Sequence, residues 1–154
     1  MIKKIISAGE TGVDRGALDF AIKSGVAHGG FCPKGRRSES GRISDKYDLI
    51  ETGSHSFGSA MIKNVHHSDG TLIITRGSPT GGTGKTEDIA ISGDKPKYVI
   101  RLERKLDPAE FVQWVLANKI ETVFIAGPRE SKQPGIQKAT VRILTNLFQH
   151  LRAA

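Results

Sequence analysis

The chain has 154 residues, 37% hydrophobic and 25% charged, which fits one soluble domain, residues 1–154, with a single sizeable core. No apolar run is long enough to span a bilayer, the start is too short in its apolar part for a signal peptide, and the lone Cys32 excludes an internal disulfide and suits the cytoplasm. A formal charge of +7 points to anionic partners, but 6% aromatic content provides poorly for stacked bases, so a small anionic ligand ranks ahead of nucleic acid.

In chain order, residues 3–8 form the first apolar, β-branched run and read as a strand. Val13, Ala17, Leu18, Ala21 and Ile22 then recur at helical spacing, and Gly25 can end that helix. A shorter strand is expected over residues 27–32. Residues 33–56 are polar, rich in glycine and serine and free of helical periodicity, and a structureless stretch of that length is often functional. Phe57, Ala60, Met61, Asn64 and Val65 predict a second helix, closed before Ser68-Asp69-Gly70. A strand at 71–75 precedes a third helix carrying Thr86, Ile89 and Ala90, with Gly93 near its end. After a strand at 97–102, Asp107 caps and Pro108 opens a helix through Phe111, Val112, Val115 and Leu116. The strand at 122–126 leads to the longest helix, marked by Ile136, Thr140, Ile143, Leu144, Leu147 and Leu151. Strands alternating with helices imply an α/β fold with a parallel sheet of about five strands, covered on both faces.

Two glycine-rich turns join an apolar run to a helix. The first reads Gly9-Glu10-Thr11-Gly12-Val13-Asp14-Arg15, the second Gly77-Ser78-Pro79-Thr80-Gly81-Gly82-Thr83-Gly84-Lys85-Thr86-Glu87. Such turns sit at the carboxyl edge of an α/β sheet, where glycine admits a ligand and helix starts offer free N–H groups to an anion. Both strands should run parallel near the middle of one sheet, which brings the two turns to one site.

The second turn contains Gly84-Lys85-Thr86, but Pro79 stands where a Walker A loop needs glycine and removes a backbone donor. A phosphate site of another geometry is the favoured reading, with Thr80, Thr83 and Thr86 as hydroxyl donors and Lys85 as a point charge. The first turn lacks the dinucleotide-fingerprint spacing. Asp14 fits two readings equally: an acid favouring the helix N-terminus, or a partner for a ribose or pterin group. Lys34, Arg36 and Arg37, which follow Gly29-Gly30-Phe31-Cys32-Pro33 around Gly35, either form a solvated basic loop or neutralise a phosphate. Glu87 and Asp88 could act as general base or sugar clamp, or simply favour a helix start. Arg129 and Ser131, after the fifth strand, would close the site from its far side. The histidines and Cys32 offer no metal-ligand spacing, so no metal site is assigned.

Read together, these stretches resemble the putative molybdenum carrier family, a Rossmann-like group related to the LOG and DprA nucleotide-binding superfamily. The residues that carry the resemblance are Thr11-Gly12-Val13-Asp14-Arg15 with Ala17-Leu18-Asp19, Gly29-Gly30-Phe31-Cys32-Pro33-Lys34-Gly35-Arg36, and Asn64-Val65 with Ser68-Asp69-Gly70-Thr71-Leu72-Ile73. Arg76-Gly77, Thr80-Gly81-Gly82-Thr83 and Ala126-Gly127-Pro128-Arg129 with Pro134 complete the ordered set. Three positions depart from the pattern: Ala8 and Glu10 stand where the first turn commonly has Gly and Gln, and Lys85 replaces an uncharged residue.

The resemblance implies a doubly wound, Rossmann-like parallel sheet, a homo-oligomer, and a phosphorylated cofactor or nucleotide bound over the glycine turns. The family name implies the molybdenum cofactor, molybdopterin, whose pterin carries a phosphate. The expected ligand is therefore a phosphate-bearing pterin or a nucleotide, held by amides of residues 9–12 and 81–84 and neutralised by Lys34, Arg36 and Lys85. Thr11, Asp14, Arg15, Gly35, Arg76, Thr80, Thr83 and Arg129 complete the candidate set. Two rivals follow from the relatives. A LOG-like phosphoribohydrolase would use Glu87 or Asp88, although Lys85 occupies the threonine position of that motif. A DprA-like nucleic-acid module is opposed by the low aromatic content.

Overall fold

The computed structural model describes residues 1–154. In chain order the elements are β1 (Lys4–Ile6), α1 (Val13–Ser24), β2 (Ala27–Gly29), β3 (Phe31–Cys32), β4 (Arg37–Ser38), β5 (Gly41–Arg42) and β6 (Ile50–Glu51). They continue with α2 (Phe57–His66), β7 (Gly70–Thr75), α3 (Gly81–Ser92), β8 (Lys97–Arg101), α4 (Pro108–Ala117), β9 (Thr122–Ala126) and α5 (Ile136–Ala153).

Five strands form one parallel sheet in the order β2-β1-β9-β7-β8. The last strand in sequence is therefore the central one, with Ile5 opposite Val123 on one side and Thr71 opposite Phe124 on the other. Alternation along the strands divides the core into two layers. Ile5, Leu72, Ile74, Val123 and Ile125 face α1, α4 and α5, whereas Ile6, Phe124 and Ala126 face α2 and α3. Every residue of β7 is buried, as a parallel strand covered on both faces requires. Across the thicker layer the rings of Phe20 and Phe148 lie 4.8 Å apart, pinning α1 to α5. Truncating either ring would cost roughly 3–5 kcal/mol.

The expected helix boundaries follow their local signals. Gly25 closes α1 in the left-handed conformation, and the Asp107 side chain accepts from the Ala109 amide at 3.0 Å with Pro108 opening α4. Two expectations need correction. The strand expected over residues 27–32 is broken at Gly30, where φ is +128° and a side chain would run into the backbone of Ser7. The chain turns away there, and β3 pairs with β6 in a separate two-stranded sheet.

The segment at 33–56 is also not structureless. It carries the β4–β5 hairpin, and Ile43, Tyr47 and Leu49 pack with Leu18 and Cys32 into a small satellite core. Sequence periodicity could not show this, because the segment's apolar anchors are spaced by turns and not by a regular element.

Candidate functional site

The chain leaves β1 toward β2 along one face and leaves β7 toward β8 along the other, so the connections diverge on either side of β9. Such a switch point opens a crevice beyond the carboxyl ends of the strands. A cavity of about 430 Å³ lies there, within the range of small-molecule sites. Both glycine turns reach it, through Glu10 and Asp14 from the first and Thr80, Gly82 and Thr83 from the second.

The wall beside β7 is rich in donors. Glycine enters α3 earlier than expected, since the helix begins at Gly81 itself. Its first helical bond runs from the Gly84 amide to the Thr80 carbonyl at 3.1 Å. The amides of Gly81, Gly82 and Thr83 therefore have no acceptor within the protein, and Thr80 supplies no side-chain cap. The cation beside them is Lys132, from the β9–α5 loop, whose Nζ lies 3.1 Å from where a β-carbon on Gly81 would stand. Arg129 and Gln133 line the same cavity. Phe57 and Met61, one helical turn apart on α2, join Phe124 and Ala126 as its apolar surface.

The wall beside β1 is acidic. Burial pushes the Asp14 carboxyl up to about 8, and the neighbouring Glu10 charge adds to the shift. Asp14 Oδ2 accepts from the Glu10 amide at 3.3 Å. Glu10 Oε1 accepts from the amides of Thr11 and Glu39. Two of the four amides expected to hold an anion in the first turn, those of Glu10 and Thr11, are thus spent on the turn's own carboxylates.

Several other candidates also serve the scaffold and not the cavity. Gly12, with φ +82°, lets the first turn lie against the backbone of residues 128–130. The Gly9 carbonyl accepts from Arg15 Nε at 3.1 Å, and the other Arg15 nitrogens bond Ser38 and Ser40 of the hairpin. Arg36 is buried, and its guanidinium donates to the carbonyls of Ile43, Leu49, Ser44 and Tyr47. It cannot also neutralise a ligand. Gly35, with φ +83°, gives its amide to Glu51, while the Lys34 amide bonds the Ser54 carbonyl and its side chain is exposed away from the cavity. Arg76 is tied outward to the Pro134 carbonyl, and Lys85 is exposed on the far side of its helix turn.

The two acids assigned to a hydrolase are also outside the cavity. Glu87 pairs with Lys97 of β8 at 2.8 Å, and Asp88 is exposed. A third carboxylate, which the sequence reading missed, is paired with Arg129 of the cavity lining. Glu39, at the hairpin tip, accepts from Thr11 Oγ1 and Ser131 Oγ and pairs with Arg129 at 3.2 Å. Those donors hold its carboxyl below the usual range, Ser131 first. The missed Lys132 and Gln133 had one usable signal: they follow a strand whose carboxyl end had to open onto the same edge.

A five-stranded parallel sheet with helices on both faces and a ligand-sized crevice at its switch point defines a Rossmann-like α/β protein. The profile of the Circularly permutated YpsA SLOG family, cpYpsA, matches residues 5–148, and the chain belongs to that family. Its structure is similar to the crystal structure of a protein named "putative molybdenum carrier protein" from Syntrophus aciditrophicus SB. The two share 42% sequence identity and a TM-score of 0.89, covering 94% of this chain and 93% of the other. No curated protein matches the chain.

Proposed function

We propose that the crevice binds a small phosphate-bearing ligand, a pterin or a nucleotide, and that the protein carries this cargo without transforming it. One observation carries the reading: three unpaired amides at the start of α3 stand with Lys132 and Arg129 at the mouth of a cavity with an apolar floor. Helix starts of this kind favour anions, and a lysine adds charge-assisted bonds. The name of the Syntrophus relative supports the molybdenum cofactor as the cargo. The donors fit the phosphate of such a pterin, and the faces of Phe57, Phe124 and Met61 fit a flat ring. The same reading places residues 1–154 in one domain, assembled as a homo-oligomer in the cytoplasm, with light scattering as the test of assembly.

Mass spectrometry of small molecules released from the purified protein should find a phosphorylated pterin or nucleotide. Calorimetry should then show a phosphorylated probe binding more tightly than its dephosphorylated form. Lys132→Ala should weaken it about ten-fold or more, as charge-assisted bonds of about 1.5–3 kcal/mol predict, and Lys85→Ala should not. Equal binding of both forms would overturn the phosphate reading. Steady multiple-turnover release of free base from nucleoside monophosphates would make the protein a hydrolase. Oligonucleotide binding that falls steeply with salt, without preference for any small phosphate, would make it a nucleic-acid module.

A further inference from the structure

The acidic wall has a part to play that the anion-binding reading leaves unused. Asp14 is more than nine-tenths buried and lines the cavity, and the donors the protein offers its carboxyl are few: the Glu10 amide on Oδ2 at 3.3 Å and the Ser7 hydroxyl beside it. A buried carboxyl is costly to ionise, and one whose remaining accessible surface faces a cavity can be completed there by water or a ligand. Its neighbour Glu10 differs, because both its oxygens already accept backbone amides.

The place of Asp14 matters as much as its burial. The β1 and β7 turns are separated by β9 alone, so the acidic wall stands two strand spacings, roughly 10 Å, from the free amides of α3. A phosphate seated on those amides leaves an attached sugar close to β7 and carries a more distant ring across the apolar floor toward β1. The group that meets Asp14 is then the edge of the ring.

Resting on the phosphate-binding reading above, we propose that Asp14 is the specificity residue of this site and selects a 2-amino-4-oxo heterocycle, the pterin or guanine type. Such a ring presents a ring N–H and an exocyclic N–H₂ side by side. A carboxylate is an acceptor on both oxygens and matches that pair of donors. Adenine presents a ring nitrogen acceptor beside its amino group, and would leave an ionised Asp14 facing a lone pair.

A proton linkage follows. The charged groups around Asp14 are Glu10 in its own turn, Arg15 beside it on α1, and Arg129 and Lys132 across the cavity from the β9–α5 loop. Arg15 is committed to Gly9 and the hairpin serines, so it does little to hold Asp14 ionised in the free protein. A ring that donates two hydrogen bonds requires the ionised form, and its binding should release a proton below pH 8. An acceptor-bearing ring should not.

The test compares guanosine and adenosine 5′-monophosphates, 6-hydroxymethylpterin phosphate and inorganic phosphate by calorimetry between pH 6 and 8. The wild type should prefer the guanine and pterin probes to the adenine probe by about ten-fold or more at pH 8. Their affinity should rise toward pH 8 by as much as about ten-fold per unit, with proton release seen as a dependence of the heat on buffer ionisation. Asp14→Asn should remove the preference and the pH dependence and leave inorganic phosphate binding unchanged. Equal affinity for guanine and adenine probes that both depend on Lys132 would overturn the proposal while sparing the phosphate site. Loss of affinity on removing the ribose hydroxyls, with no ring preference, would reassign Asp14 to the sugar and likewise overturn it. Absence of any phosphate dependence would overturn both readings. The wild-type pH series decides the matter even where Asp14→Asn folds poorly.

Discussion

Thr11 Oγ1 donates to Glu39 Oε2 at 2.9 Å, joining the first glycine turn to the tip of a hairpin 28 residues away. The same hydroxyl accepts from the Glu130 amide at 3.1 Å. One threonine therefore ties together the β1–α1 turn, the hairpin strap and the β9–α5 loop, the first and last of which line the cavity.

That knot should loosen in acid and on removal of Glu39. Its carboxyl is held below the ordinary value of 4.5, so the contact stabilises the strap above that pH and is lost as pH falls through the lower folded value. Hydrogen-exchange mass spectrometry should show lower protection factors over residues 37–42 and 130–131 in Glu39→Ala at neutral pH. Wild type should approach the variant as pH falls below 4.5 and through the lower folded value. Unchanged protection in the variant would mean that the strap is held by Arg15 and its serines alone.

Asp14 should make the ligand-free fold less stable as pH rises. Its carboxyl titrates near 3.8 when unfolded and at about 8 when folded, so folding takes up a proton between those limits. The contribution is full below pH 3.8 and declines by about 1.4 kcal/mol per pH unit until the folded group ionises near 8. Asp14→Asn removes this slope. Urea denaturation of both proteins from pH 5 to 8 should show the variant gaining on wild type at each step, and parallel curves would refute the burial argument.

The two glycine turns should respond oppositely to alanine. Gly12 has φ +82° and no room beside the backbone of residues 128–130, so Gly12→Ala should cost well over ~1 kcal/mol. Gly82 has nothing within 4 Å of a new β-carbon and lies inside the first turn of α3. Gly82→Ala should be neutral or slightly stabilising in thermal melts, through better helix propensity. Similar losses at both positions would show that the second turn is tighter than its geometry implies.

Arg36 should matter to the fold and not to ligand charge. It has φ +54° and donates to four carbonyls of the satellite core. Arg36→Ala leaves those acceptors unpaired and should cost at least ~2 kcal/mol, with faster proteolysis within residues 33–56. A stable Arg36→Ala that instead lost affinity for phosphorylated probes would return this residue to the site.

Much of this protein was legible in its sequence, because its main signals are local. β-branched runs, helical spacing, Asp107-Pro108 and Gly25 depend on neighbours a few residues away, and they gave the five strands, the five helices and the parallel sheet. The two glycine turns, read as carboxyl-edge loops, also converged on one cavity as expected. What tertiary structure decided was the direction of each charged side chain. Arg15, Arg36, Lys34 and Lys85 sit in or beside the right turns, yet carbonyls, hairpin serines or solvent claim them, while Lys132 reaches the helix start from the β9–α5 loop, far later in the chain. A long cation turns toward whichever acceptor the fold brings within reach, and acceptors supplied by distant segments leave no trace in the spacing around it. The same holds for Asp14: its position at a helix start was readable, but its burial at the cavity wall exists only once β9 lies between β1 and β7.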